Sequence, residues 1–374
     1  MGSMPRVAAR SNSWVALLGR GRGDADGIRD YCRFLGKALE AHGIGLETYE
    51  LDWTGIGWRQ ALAHLRKTCK GWKGRWVLLQ FTALAFSNRG FPLRAISALR
   101  ILKENGVRCA VVFHDPFRHG GKRLRDRVRG AAQDWVIQRL FRLADCGIFP
   151  DPLTKIYWLP KNAGRAFSIP IGANIPVVEF FSPPTASHGG ADKTVAVYCL
   201  SLDAVREEEL QDILIAARTT YREVGRFRLV FLGRGTEEVR SEIIERFKSV
   251  PVETIVLGIL EPERITSTLQ KADAMLCVRG KLYPRRGSAI AGLACGLPIV
   301  GYGGEAEGTP LTEAGILFVP YRDAAMMGCE LARILADSTL ASELRRRSVE
   351  AYRRYYSWDL IATAFQRHLE KLEA

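Results

Sequence analysis

The chain has 374 residues, 47% hydrophobic and 25% charged, with a formal net charge of +14 at pH 7. That length and balance suit two globular domains and exclude a disordered or fibrous chain. No apolar run reaches the ~20 residues needed to span a bilayer. The eight cysteines are scattered without a CxxC pair and the six histidines lack metal-ligand spacing, which predicts reduced thiols in a cytosolic protein and no metal.

The first four residues read as an appended leader and are set aside. "SWVALLGR" (13–20) predicts a strand, and "DGIRDYCRFLGKALEAHG" (26–43) a helix stopped at Gly43. Strands follow at 44–51 and 75–81, a helix at 93–106, and a buried strand "RCAVVFHD" at 108–115. A basic helix at about 122–143 leads to the short strands "CGIFP" and "AFSIPIG". "NIPVVEFFSPPTASHGG" (174–190) breaks the rhythm with Pro, Ser and Gly and reads as a linker. Alternation then resumes through "TVAVYCL", "FRLVFLG", "ETIVLG", "DAMLCV" and "LPIVGY", with helical segments between. Repeated strand–helix units predict an α/β fold of parallel sheets with helices on both faces. In such sheets ligands bind beyond the carboxyl ends of the strands.

Charge is divided unevenly. Residues 1–187 hold 29 Lys and Arg against 14 Asp and Glu, net +15, and residues 188–374 hold 25 against 26, net −1. A basic half favours an anionic partner. Within it, residues 53–76 interleave Trp53, Trp58, Trp72 and Trp76 with cations, and 117–141 continue the basic pattern. Trp with cations suits an anionic membrane surface or a lipid-phosphate acceptor. Single-stranded nucleic acid uses the same residue types and is the weaker reading. The plain alternative is core tryptophan under a solvated basic face.

The order of "LVFLGRGTEEVRSEI", "ETIVLGILEPERITSTLQKADAMLCV", "AIAGLACGLPIVGY", "EAGILFVP" and "YYSWDLIATAFQRHLEKL" resembles the donor domain of GT-B glycosyltransferases, above all the large retaining family 4. "DGIRDYCRFLGKALEAHGI" is similar to that family's glycine loop and first helix, and "VVFHDPF" to its strand ending in His. The resemblance implies two Rossmann-like domains flanking a cleft. It places the acceptor side in residues 1–175, the donor domain in 176–354, and a helix returning to the N-terminal domain in 355–374. It also departs from the pattern. The family's two glutamates would fall at Tyr283 and Ala291, and its Arg and Lys after the first donor-domain strand are absent from "CLSLDAVREEEL".

Arg279, Lys281, Arg285 and Arg286 follow the strand "AMLCV", before a helix opened by Gly287 and Ser288. Cations beside free helix N–H groups favour a diphosphate, while Ser288 as an N-cap over solvated cations is the alternative. The resemblance implies a glycine loop at Gly23, Asp26 and Gly27, a nucleotide-base region at Gly233, Gly235, Ile259 and Leu260, and a sugar or acceptor contact at His114, which in neutral form can also accept a proton.

These readings predict a metal-independent glycosyltransferase without a cofactor. It would move a sugar from a nucleotide-diphosphate sugar to a saccharide or lipid-linked acceptor, with retention, in the cytoplasm or on the inner face of a membrane. The missing glutamates keep two alternatives open: a non-catalytic GT-B module binding a partner or anionic polymer, and a sugar-nucleotide epimerase.

Overall fold

The computed structural model describes residues 13–19, 27–121, 123–177, 193–304, 306 and 308–373. They fall into two compact units, one running to Pro170 and resuming at Ile361, the other spanning Ile171–Leu360.

The first unit alternates β1 (Ser13–Leu18), α1 (Gly27–Glu40), β2 (Gly45–Glu50), α2 (Gly57–Thr68), β3 (Trp76–Phe81), α3 (Leu93–Glu104), β4 (Arg108–Phe113), α4 (Leu124–Leu143), β5 (Cys146–Phe149) and β6 (Ala166–Ser168). Its sheet is parallel, in the order β2-β1-β3-β4-β5-β6. β3 and β5 are buried along their whole length, as expected of strands covered on both faces. Val15, Leu17, Val77, Leu79, Val111 and Phe113 pack with Leu65, Leu99, Val136 and Leu140 from the helices. Because β1 has its successors on both sides, the loops after β1 and β3 meet at the sheet's reversal of strand order. Gly19 is required there. A β-carbon at Gly19 would lie 2.4 Å from the Ala85 carbonyl oxygen, which accepts a hydrogen bond from Trp53 Nε1 at 3.0 Å.

The tryptophan-rich stretch departs from the surface expected of it. Residues 57–68 form α2, whose buried side is Ala61 and Leu65. Trp53, Trp72 and Trp76 are buried and Trp58 stacks on Trp53 at 4.9 Å, packed against the same core. Burying these rings removes far more apolar area from water than an interfacial position would, so they are core residues and the cations between them are the solvated face.

The second unit runs β7 (Lys193–Tyr198), α5 (Val205–Val224), β8 (Phe227–Leu232), α6 (Arg240–Phe247), β9 (Glu253–Gly258), α7 (Pro262–Gln270), β10 (Ala274–Cys277), α8 (Gly287–Ala294), β11 (Ile299–Tyr302), β12 (Ile316–Val319), α9 (Ala324–Ala336), α10 (Ser338–Ala351) and the start of α11 (Trp358–Glu370). Its parallel order is β12-β11-β10-β7-β8-β9. Alternate strand residues feed two cores. Val195, Val197, Leu229, Phe231 and Leu276 face one side, and Ala196, Val230, Leu232, Met275 and Ile299 the other. Strand order reverses between β7 and β10, so the loops after these two strands are neighbours.

The proline-rich break at 174–190 lies outside the described residues from 178 onward. From Ile361, α11 belongs to the first unit, where Phe365 and Leu369 are buried and Glu373 accepts from Trp76 Nε1 at 2.8 Å. Among the described residues no helix is long and apolar enough to cross a membrane.

Candidate functional site

The candidate site is the carboxyl edge of the second sheet. After β10 the chain turns through Val278, Arg279 and Gly280 and reaches α8 at Gly287. Gly280 has φ +61 and open space around it. Gly296, at φ +66, ends α8 with the Gly296 and Leu297 amides bonded back to Leu293 and Gly292, a Schellman-type stop.

The N-cap position is Arg286, not Ser288, and it makes no side-chain cap. Helical geometry already begins at Gly287, so the Ser288 hydroxyl lies inside the first turn and cannot bridge to N2 or N3 amides ahead of itself. The first-turn N–H groups of α8 therefore lack a side-chain cap from that position.

Arg286 is held from two sides. Its Nη2 donates to the Arg279 carbonyl at 2.5 Å, and its guanidinium lies 4.3 Å from the Tyr283 ring centroid. Arg285 sits over the same ring at 4.8 Å. Burial, followed by the repulsion of Arg279, pushes the Arg286 guanidinium below its ordinary range, with Tyr283 opposing. Arginine starts so high that it stays charged at neutral pH. Nε of Arg279 and Nε of Arg286 are both buried without a hydrogen-bond partner, and neither side chain forms an ion pair among the described residues. The thiols beside them do not compensate. Burial raises Cys199, and raises Cys277 to about 12, so both remain neutral. Two half-buried arginines with buried, unpartnered Nε donors are thus brought together on one loop.

Lys281 is exposed and reaches toward β11, with Nζ 5.8 Å from the Tyr321 ring centroid. It runs along Gly304, where a β-carbon would come within 3.4 Å of Nζ. Gly287 and Ser288 are half-buried, and the space beside Gly287 is open. Of the six residues expected to bind diphosphate, all therefore lie on one loop and the start of α8, with Arg279 and Arg286 at its buried end.

The expected base region sits at the ends of β8 and β9. Gly233 and Gly235 have φ of +85 and +83, and a β-carbon on Gly235 would come 2.4 Å from the Leu200 carbonyl oxygen. The Gly233 amide donates to the Gly258 carbonyl at 2.6 Å. Ile259 is exposed and Leu260 half-buried just beyond. The loops after β7, β8 and β9 are thereby stitched to one another, beside the arginines.

Glu209 on α5 was not anticipated. It is 1% exposed, and its carboxylate accepts from the Ser201 amide at 2.8 Å and the Ser201 hydroxyl at 2.5 Å, fixing the loop after β7. Asp212, one turn on, accepts from Tyr302 Oη and Arg322 Nη1, each at 2.6 Å. Burial raises the Asp212 carboxyl despite the Tyr302 bond. The signal was helical phase: 209, 212, 213 and 216 share one face, and that face is the buried one.

In the first unit, His114 follows β4. Its Nε2 lies 2.7 Å from Gln80 Oε1, and Gln80 donates its own amide to the Leu78 carbonyl, which assigns the Nε2 proton to His114. The ring meets the buried Tyr31 edge-on at 4.9 Å. Gly27 is the first residue of α1, while Gly23 and Asp26 lie outside the described residues.

Neither protein-family models nor curated proteins yield a match to this chain. Solved structures do. Sucrose-phosphate synthase from Thermosynechococcus elongatus superposes with a TM-score of 0.69 at 17% identity, covering 96% of this chain and 99% of that one. Anabaena HepE, in complex with UDP and glucose, superposes with a TM-score of 0.65 at 13% identity, over 97% and 99%. A glycosyltransferase from Rickettsia africae superposes with a TM-score of 0.68 at 10% identity, over 97% and 98%. The chain therefore has the two-domain α/β fold of the GT-B glycosyltransferases.

Proposed function

We propose that this chain is a glycosyltransferase that uses a nucleotide-diphosphate sugar, with the diphosphate held by Arg279, Arg286, Lys281 and the first N–H groups of α8. The observation that carries this reading is the pair of half-buried arginines at the reversal of strand order, each with a buried, unpartnered Nε. The fold shared with HepE, whose structure contains UDP and glucose, supports a nucleotide sugar as donor. Charge develops on the leaving diphosphate as the glycosidic bond breaks, and fixed cations with helix N–H groups stabilise that charge without reorganising. The acceptor, a saccharide or lipid-linked saccharide, is assigned to the first unit, with His114 as the residue to take its proton. Family resemblance favours retention at the anomeric carbon.

Ala291 is buried in α8 and Tyr283 lies under two arginines, so neither position supplies a carboxylate for a ribose. That observation favours a second reading, a module that binds nucleotide diphosphate without transferring sugar. Incubation with UDP-, GDP-, ADP- and dTDP-sugars, with and without saccharide acceptors, separates the two. Acceptor-dependent release of nucleoside diphosphate is expected. Binding without release would favour the second reading, and no binding of any diphosphate would remove both.

A further inference from the structure

The solvent-facing side of α4 is not an ordinary polar helix surface. Leu124, Val128 and Trp135 are 75%, 56% and 55% exposed. With exposed Ala131 they recur at i, i+4, i+7 and i+11, which places all four in one stripe. The opposite side, Gln133, Val136, Ile137, Leu140 and Phe141, is already buried in the first unit's core. The exposed stripe is therefore a second apolar face that, among the described residues, no other element covers.

Its rim is cationic. α4 carries five arginines against two aspartates, and Arg123 precedes it. Arg123, Arg125, Arg127 and Arg142 are exposed. Both aspartates are turned away and occupied: Asp126 pairs with Arg129 at 3.0 Å and more loosely with Arg125 at 3.9 Å, and Asp134 with Arg118 at 3.3 Å and with the Tyr157 hydroxyl. Their side chains are only 14% and 16% exposed. No carboxylate of α4 thus shares the stripe.

We propose that this face of α4 docks on an anionic lipid surface, with Leu124, Val128 and Trp135 entering the interface and Arg123, Arg125, Arg127 and Arg142 meeting lipid phosphates. An apolar stripe edged by arginines matches the two layers of such a surface, acyl chain below and phosphate above. Arginine stems also lie along apolar surface while their heads stay at the phosphates. A second copy of this chain fits less well, because apposed α4 faces would set arginine against arginine with no carboxylate between them. Docking is peripheral, since no described helix can cross a membrane. Of the tryptophans at 53–76, Trp53, Trp72 and Trp76 are buried and Trp58 is packed against the core; Trp135 is the tryptophan that α4 presents.

The full chain is sedimented with phosphatidylcholine vesicles, with and without phosphatidylglycerol, at low and high salt. Binding is expected only to the anionic vesicles, and should weaken as salt screens the arginines. Leu124→Glu with Trp135→Glu should lower the vesicle partition coefficient by roughly 10- to 100-fold, the loss of burying one or two large apolar side chains. Arg125→Glu with Arg127→Glu should lower it about fivefold for each arginine removed. Both positions are exposed, so the thermal midpoint should stay at the wild-type value, which controls for folding. Wild type that ignores anionic vesicles at low salt overturns the proposal. So does equal binding by the Glu variants, or a dimer in sedimentation velocity that Trp135→Glu dissolves.

Discussion

The two units share an architecture and differ in where they keep their cations. The first carries the basic half of the chain, and on its helix α4 those arginines face solvent around an apolar stripe. The second is close to neutral, yet two of its arginines are half-buried at the carboxyl edge of its sheet, each with a buried Nε that has no partner. Net charge therefore does not single out the unit to which we assign the diphosphate. A solvated arginine is already satisfied by water and gains little from a partner, whereas a desolvated one gains a full charge-assisted bond. Strand order explains the location. The first sheet reverses between β1 and β3, the second between β7 and β10, and the loop after β10 carries Arg279, Arg285 and Arg286.

The largest effect should come from the glycines that stitch the second unit's edge. Gly235→Ala places a β-carbon 2.4 Å from the Leu200 carbonyl oxygen at a φ of +83, and should cost about 2–4 kcal/mol in denaturant unfolding. Gly280→Ala, also at positive φ but with nothing within 4 Å, should cost only about 1–2 kcal/mol. Equal costs would mean that the loops after β7 and β8 are not in contact as described.

Glu209→Ala removes the acceptor of both Ser201 bonds and leaves two part-buried donors unmet, an expected loss of about 1–3 kcal/mol. The matching test in the first unit is smaller. Trp53→Phe keeps the ring in the core but deletes the bond to the Ala85 carbonyl, an expected loss of about 0.5–1.5 kcal/mol. Reversal of this ranking in chemical denaturation would contradict the view that the second unit's edge is the more tightly constrained.

The smallest effect belongs to His119. Its bond to Asp115, the main cause, raises its pKa above the ordinary 6.5. The folded state therefore binds the proton more tightly than the unfolded chain. The stabilisation is complete below the unfolded value and fades as pH rises through the raised one. His119→Gln should flatten the stability–pH curve in that window and leave its high-pH end unchanged. A change confined to high pH would show that His119 is not the group responsible.

The strands were legible because parallel strands buried on both faces read as unbroken apolar runs, as in "WVLLQF" and "RCAVVF". α2 was not legible. It buries only Ala61 and Leu65 and has no side-chain cap at Ile56, so tryptophan and cations dominated its appearance. Arg279 and Arg286 could be singled out because they follow a buried strand. That Arg286 donates to the Arg279 carbonyl and rests on Tyr283 is a matter of loop conformation, which spacing does not encode. Glu209 was hidden in "REEEL", where three consecutive acids suggest a solvated helix start and only the phase set by Ile213 marks one as buried. His114 was visible at its strand end, but its partner Gln80 comes from the neighbouring strand and is apparent only in the register of Gln80 with Val112.

The account turns on whether Arg279 and Arg286 hold a diphosphate. Calorimetric titration of UDP and uridine, then of the GDP, ADP and dTDP pairs, into wild type and Arg286→Ala tests this directly. The nucleoside diphosphate that binds wild type should lose about 10- to 100-fold in affinity, the worth of one charge-assisted bond to phosphate. Its nucleoside should bind wild type and variant equally. Unchanged affinity for the diphosphate would contradict the account, and equal losses for diphosphate and nucleoside would show that Arg286 shapes the loop rather than gripping phosphate.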